Sequence, residues 1–149
     1  GRCEPTSPLG QSLWHQGRAG RQLVQDSPAP SLEMIASTGV SLEAKIIDVG
    51  GGASRLGAEL TARKFRRLTV LDLSASALDV AKALLRCGGA DVEWLVADVT
   101  KWQPTQIYDL WHDRAAFHFL TNPIDQSAYV DRLKEAVKTE GYVIIGTFA

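Results

Sequence analysis

One stretch limits the architecture more than any other: Lys45-Ile46-Ile47-Asp48-Val49-Gly50-Gly51-Gly52-Ala53-Ser54. An apolar run of strand type carries a carboxylate near its end, breaks into three glycines, and passes through Ser54 into residues with helical spacing. This predicts a strand, a bare loop and a helix start. Glycines let a ligand approach the backbone with no Cβ in the way, and free N–H groups at a helix start favour polar or anionic ligand groups. The stretch reads as a nucleotide-type ligand site; its bland alternative is an ordinary tight strand-to-helix turn.

Glycine spacing narrows the ligand. The dinucleotide fingerprint needs glycine at its first, third and sixth positions, but counting from Gly50 gives Gly50, Gly52 and Arg55. A Walker loop would close on Gly-Lys-Ser/Thr, which is missing here. What remains is Asp-x-Gly-x-Gly.

The pattern of apolar run followed by acid then repeats. Leu68-Thr69-Val70-Leu71-Asp72-Leu73 predicts a second strand whose terminal carboxylate, Asp72, can accept hydrogen bonds from both hydroxyls of a ribose, with Leu73 beside it. Val92-Glu93-Trp94-Leu95-Val96 predicts a third, delivering Asp98 and Val99. Each acid alone is a common loop residue; on one edge of a parallel sheet, Asp48, Asp72 and Asp98 would make a single site. Ile107 to Trp111 predicts strand four, followed by the run His112-Asp113-Arg114-Ala115-Ala116-Phe117-His118-Phe119-Leu120 and a short helix stopped by Thr121-Asn122-Pro123. Strand five is expected over 141–148, after a helix over 124–138.

The elements between these strands are predicted more coarsely. Ser31 opens a short helix to about residue 38; Leu56 and Leu60, with Ala53, Gly57 and Lys64, mark a second; Leu78, Ala81, Leu84 and Leu85 mark a third ending near Gly88-Gly89. The basic cluster Arg63-Lys64-Phe65-Arg66-Arg67 reads as a solvated helix end rather than a nucleic-acid patch. Residues 1–30 are rich in Gly, Pro, Ser and Gln without a sustained period and are set apart from a core over 31–149.

Length and charge bound the partners. A chain of 149 residues with 45% hydrophobic content is one domain with a real core, and a formal charge of -1 supports neither a nucleic-acid nor an anionic-membrane partner. Cys3 and Cys87 lie far apart with no histidine spacing around them, so neither a disulfide framework nor a metal site is expected. No apolar run approaches the roughly 20 residues of a membrane span, and no signal-peptide core is seen. A cytoplasmic setting is the default expectation.

The glycine loop, the acids at three strand ends and the Asp-Arg-Ala of the strand-four run together resemble the class I S-adenosylmethionine-dependent methyltransferases, and the last feature is similar to the small bacterial tellurite-resistance and thiopurine-type enzymes. The resemblance spans about residues 25 to 149. It implies a doubly wound, Rossmann-like, mostly parallel α/β sheet of five strands in the order 3-2-1-4-5, without the last two strands usual in the family. It implies S-adenosyl-L-methionine as cofactor, bound by Asp48, Gly50, Gly51, Gly52, Asp72, Leu73, Asp98 and Val99, with Asp98 on the adenine amine and Val99 against the ring. A lid before the first strand would place Gln25 or Trp14 near the ligand. Methyl transfer from a sulfonium is a displacement on an already activated donor, so the protein chiefly positions and desolvates the partners. Asp113 is the expected catalytic residue, orienting an acceptor or taking its proton, with His112 as an alternative base that could equally be packed at the strand end. Arg114 could pair locally; His118 reads as packing or surface. A small-molecule acceptor is expected. A protein-lysine methyltransferase, or a cofactor-binding domain without turnover, is the alternative. The apolar fifth strand would be an unpaired edge, as in a piece of a longer protein or a homodimer that covers it.

Overall fold

The computed structural model describes residues 27–85, 92–114 and 116–146. The expectations for Cys3, Trp14, Gln25, Cys87, Gly88-Gly89, Ala115 and Phe148 fall outside them.

Helix α1, Ala29–Thr38, starts with Pro30 in its first turn, where a missing N–H costs nothing, and stops at Gly39, whose φ of 76° is left-handed. Strand β1, Lys45–Val49, leads through the glycines to α2, Leu56–Ala62. Strand β2, Arg67–Asp72, is followed by α3, Ala75–Leu84, capped by Ser74, whose Oγ accepts from the Ala77 N–H at 3.1 Å. Strand β3 is Glu93–Val96 and β4 is Tyr108–Asp113. A single 3-10 turn, Phe117–Phe119, precedes α4, Pro123–Ala136, capped by Asn122, and β5 is Val137–Ile145.

The five strands form one parallel sheet in the order β3-β2-β1-β4-β5. Helices cover both faces, and each face has its own apolar cluster. Ile35, Ile46, Leu56, Leu60, Leu68, Val70, Leu78 and Leu110 pack on the face covered by α1, α2 and α3. Ile47, Val49, Leu71, Val99, Tyr108, Trp111, Tyr129 and Ala136 pack on the face covered by α4. Burying each such side chain contributes roughly 1.5–3 kcal/mol, far more than the exposed Arg63–Glu59 and Glu43–Arg66/Arg67 ion pairs, each worth about 0–1 kcal/mol. The basic cluster, expected as a helix end, spans the turn from the cap of α2 at Arg63 to the first residue of β2, Arg67.

Several boundaries differ from the sequence expectation, each for a physical reason. Strand β4 runs on through His112 and Asp113, because a central parallel strand is buried on both faces and these two polar side chains find partners inside. Among the described residues, the run after it holds the 3-10 turn Phe117–Phe119 in place of the expected short helix. Ala53 lies outside α2 with a left-handed φ of 61°, so the stripe that packs is Leu56, Gly57 and Leu60. Helix α4 ends at Ala136 and β5 begins at the next residue, with an irregularity in its register against β4 between Tyr108 and Leu110.

Candidate ligand site at the strand tips

Strand order reverses between β1 and β4, and the crevice outside the carboxyl ends at such a switch point is where open α/β sheets bind ligands. A cavity of about 410 Å³ lies there, lined by the loop from Asp48 to Arg55, by Asp72, Leu73 and Ala77, by Ala97, Asp98 and Val99, and by Arg114, Ala116, Phe119 and Leu120. A slightly larger hollow, about 470 Å³, opens at the opposite ends of the strands. There Glu43 already pairs with Arg66 and Arg67, and no glycine is among its lining residues, so its size does not make it the better site.

The glycine loop is bare because carboxylates lie directly against it. A Cβ on Gly51 would collide with the Asp48 carboxylate and meet Val70 Cγ1 at 3.0 Å; on Gly52 it would fall 2.7 Å from Ala77 Cβ and 2.8 Å from Asp72 Oδ2. Gly50 has φ 73°, and a Cβ there would press on Ala116 Cβ at 3.1 Å. The amides of the loop behave differently from the expectation of free donors. Gly50 and Gly51 donate to Leu71 O, Gly52 to Asp72 Oδ2, Ala53 to Ala77 O, and Ser54 to Gly51 O. The loop thus offers a ligand bare surface rather than a nest of N–H groups.

Each expected residue can now be placed. Asp48, Asp72 and Asp98 stand on one border of the sheet and line one cavity. Asp72 accepts from Gly52 N at 2.9 Å on Oδ2 and from Ser74 N at 2.8 Å on Oδ1, so both oxygens are fixed and each retains a lone pair for a further donor. Asp98 Oδ1 accepts from Thr100 Oγ1 at 2.6 Å and Thr100 N at 2.9 Å, and these bonds hold its carboxyl below the usual carboxylate range. Val99 is buried beside it, whereas Leu73, 71% exposed, presents apolar surface at the mouth.

His112 and Asp113 do not line the cavity. Alternation along β4 sends Leu110 and His112 to the α1 face and Trp111 and Asp113 to the α4 face. His112 is 2% exposed, with Nδ1 2.8 Å from Asp48 Oδ1 and Nε2 2.8 Å from Ser31 Oγ. Asp113, 0% exposed, accepts from Ala116 N at 2.7 Å, Phe117 N at 2.9 Å and the Tyr129 hydroxyl. Its carboxylate holds the turn after β4 and so shapes the wall that carries Ala116, Phe119 and Leu120, whereas the sequence expectation sets it against an acceptor. Burial, and then the Asp113 charge, push the Tyr129 hydroxyl well above the ordinary tyrosine range. His118 is exposed and stacks edge-on to Phe119.

Sequence reasoning missed Ser31 and Tyr129, whose partners lie on other elements. The period-2 pattern of Leu110-Trp111-His112-Asp113 was the available signal that the two polar side chains face apart. Among the described residues no helix is long and apolar enough to cross a membrane.

Known proteins agree with this geometry. A family model described as a methyltransferase domain matches residues 46–141. No curated protein matches. Among solved structures, an S-adenosylmethionine-dependent methyltransferase from Clostridium acetobutylicum is similar with a TM-score of 0.66 at 19% identity, over 76% of this chain and 46% of that one. Coclaurine N-methyltransferase, bound to N-methylheliamine and SAH, is similar with a TM-score of 0.68 at 18% identity, over 78% of this chain and 35% of that one. CalS10, a SAM-bound amino pentose methyltransferase from Micromonospora echinaspora, reaches a TM-score of 0.71 at 17% identity, over 100% of this chain and 60% of that one. The chain spans between about a third and three-fifths of the length of these three structures. With a five-stranded parallel sheet in the order 3-2-1-4-5 and a family match across most of its length, the chain belongs to the methyltransferase-domain family and has the fold of its S-adenosylmethionine-dependent, class I members.

Proposed function

We propose that the chain binds S-adenosyl-L-methionine across the tips of β1, β2 and β3 and methylates a small-molecule acceptor that enters past Arg114, Phe119 and Leu120. One observation carries the reading: Gly51 and Gly52 have no room for a side chain, because Asp48 lies against the first and Ala77 and Asp72 against the second, so the cavity at the strand tips is floored by bare backbone beside the Asp72 carboxylate. Asp72 accepts from the ribose hydroxyls with the lone pairs its two backbone bonds leave. Asp98, kept ionised by Thr100, takes the adenine amine, while Val99 and Leu73 supply apolar surface to the ring. The bound cofactor supplies a methyl already activated on sulfur, so the protein's share is placement and exclusion of water. Phe119, 64% exposed, and Leu120 give the acceptor side an apolar wall. Small acceptors of the solved neighbours, an amino pentose methyltransferase among them, favour a low-mass substrate over a protein lysine. A cofactor-binding domain without turnover is the rival from another class.

Calorimetric titration with S-adenosylhomocysteine tests the cofactor half: binding by the intact chain should weaken about tenfold or more in Asp72→Ala, the loss of one to two charge-assisted bonds. Equal affinity in both would remove the reading. Label from the methyl donor should appear in low-mass products; label in a protein band would favour the lysine reading, and tight binding with no label anywhere the domain without turnover. The same proposal includes a homodimer across β5, which pairs with β4 alone among the described residues and leaves Tyr142, Val143 and Ile145 about two-fifths exposed. Light scattering giving a monomer would remove that part.

A further inference from the structure

We propose that the hollow at the amino ends of β1, β2 and β3 is a second ligand site, which takes a small phosphorylated molecule that also carries a hydroxyl or amine. The inference is independent of the function proposed above, whose cavity lies at the other ends of the same strands. Topology leaves the space. Between β3 and β4 the chain crosses through residues 97–107 without a helix, so among the described residues no crossover helix covers the α4 face where β2 and β3 begin. A hollow of about 470 Å³ results, a volume usual for small-molecule sites. Alternation decides which side chains face it. Lys45 shares a face with Ile47, Arg67 and Thr69 with Leu71, and Glu93 with Leu95, all toward the α4 side, and Gln106 closes the hollow just before β4.

Register sets like charges against each other there. Lys45 pairs with Arg67 across β1 and β2, and cations on directly opposed positions repel. Lys45 is half-buried, and its ammonium has no acid within ion-pair distance among the described residues; Asp109, which feels its charge, bonds instead to the Lys45 N–H and to Lys138. Glu43 is shared by Arg66 at 3.5 Å and Arg67 at 3.4 Å, both longer than the roughly 2.8 Å of a well-made charged bond. Three cations thus surround one loosely held acid, which favours an anion with several oxygens to offer. Arg67 brings a planar fork and Lys45 a point charge, the two side-chain types suited to phosphate. Two residues further along, Thr69 pairs with Glu93. Thr69 Oγ1 donates to Glu93 Oε1 at 3.2 Å, and Gln106 Nε2 donates to the same oxygen at 3.0 Å. Glu93 Oε2 has no donor among the described residues, so it can accept from a ligand hydroxyl or amine about 6–7 Å along the strands from the cations. Two acids among the cations suit one phosphate and disfavour a polyanionic nucleic-acid backbone.

Calorimetry on the full chain, in low-salt buffer free of phosphate, tests this with ribose 5-phosphate, inorganic phosphate and ribose. Ribose 5-phosphate should bind with a Kd below about 1 mM, inorganic phosphate about tenfold more weakly, and ribose without measurable heat. Lys45→Met should lose about tenfold for both phosphates, while its melting midpoint equals or exceeds that of wild type because a repulsion is removed. Glu93→Ala should lower the preference for ribose 5-phosphate over inorganic phosphate about threefold. Lys101→Met makes the same change of charge beside Asp98 at the opposite strand ends, and should stay within about twofold of wild type. Wild type that binds neither phosphate, equal losses in Lys45→Met and Lys101→Met, or a Lys45→Met chain that melts lower than wild type would each overturn the proposal. So would inorganic phosphate or a single-stranded oligonucleotide binding as tightly as ribose 5-phosphate.

Discussion

The tips of β1 and β4 lie side by side and each carries a buried carboxylate, Asp48 and Asp113, yet the protein treats the two in opposite ways. Asp113 receives three donors, from two backbone amides and the Tyr129 hydroxyl. Asp48 receives one, from His112, and its second oxygen has none among the described residues. A buried acid saturated by its own chain is a structural joint. One left short of donors beside a cavity keeps an acceptor in reserve. Both are buried within one residue of a strand end; donor count separates them.

The comparison can be broken at either tip. Asp113→Ala strands the buried Tyr129 hydroxyl and two part-buried amides and should cost about 3 kcal/mol or more of unfolding free energy in denaturant titration; a loss under about 1 kcal/mol would end its description as a joint. Gly51→Ala forces a methyl into Asp48 and Val70 and should cost about 2 kcal/mol, along with cofactor binding, in the same assay. Tyr129→Phe removes the donor to Asp113 and the acceptor of the Trp111 Nε1–H, and should cost about 1–2 kcal/mol. The pH profile sharpens this case. Because the folded-state value of Tyr129 is raised, its contribution is whole below an ordinary tyrosine pKa of about 10 and is lost as pH climbs above that, so wild type and Tyr129→Phe should converge in strong alkali. Asp48→Asn, by contrast, should change stability by less than about 1 kcal/mol, since an under-satisfied charge is removed, while weakening S-adenosylhomocysteine. Smallest of all is the Asp109–Lys138 pair at the far end of β4. A hydrogen bond from Lys138 and one from the Lys45 amide hold Asp109 below the usual carboxylate range, so its contribution is present above about pH 4 and fades as pH falls through the lowered value. Melting curves of Asp109→Asn and wild type should therefore draw together in acid.

The first three strands were readable from the chain because Asp48, Asp72 and Asp98 each stand at or just past the end of an apolar run, a local pattern that does not depend on distant residues; the order of the strands came only with the family resemblance. The tip of β4 was harder to read. His112 and Asp113 look like loop residues until one knows that Ser31 and Tyr129, 81 and 16 residues away, meet them from opposite faces. The amides of the glycine loop were misread for a similar reason, since their acceptors, Leu71 O, Asp72 Oδ2 and Ala77 O, belong to the next strand and helix. Helix α4 and β5 were misjudged where they join, because Val137 continues an apolar helical stripe as well as it starts a strand.

That junction has a mechanical consequence. With Ala136 in the helix and Val137 already in the sheet, nothing between them can absorb a change of angle. Each residue of an α-helix turns it by about 100°. One extra amino acid at this seam would swing Tyr129 a quarter-turn or more away from the carboxylate it serves, whereas one added in the turn before Asn122 leaves that gearing intact. The chain is a rigid crank at one end of α4 and a slack cord at the other.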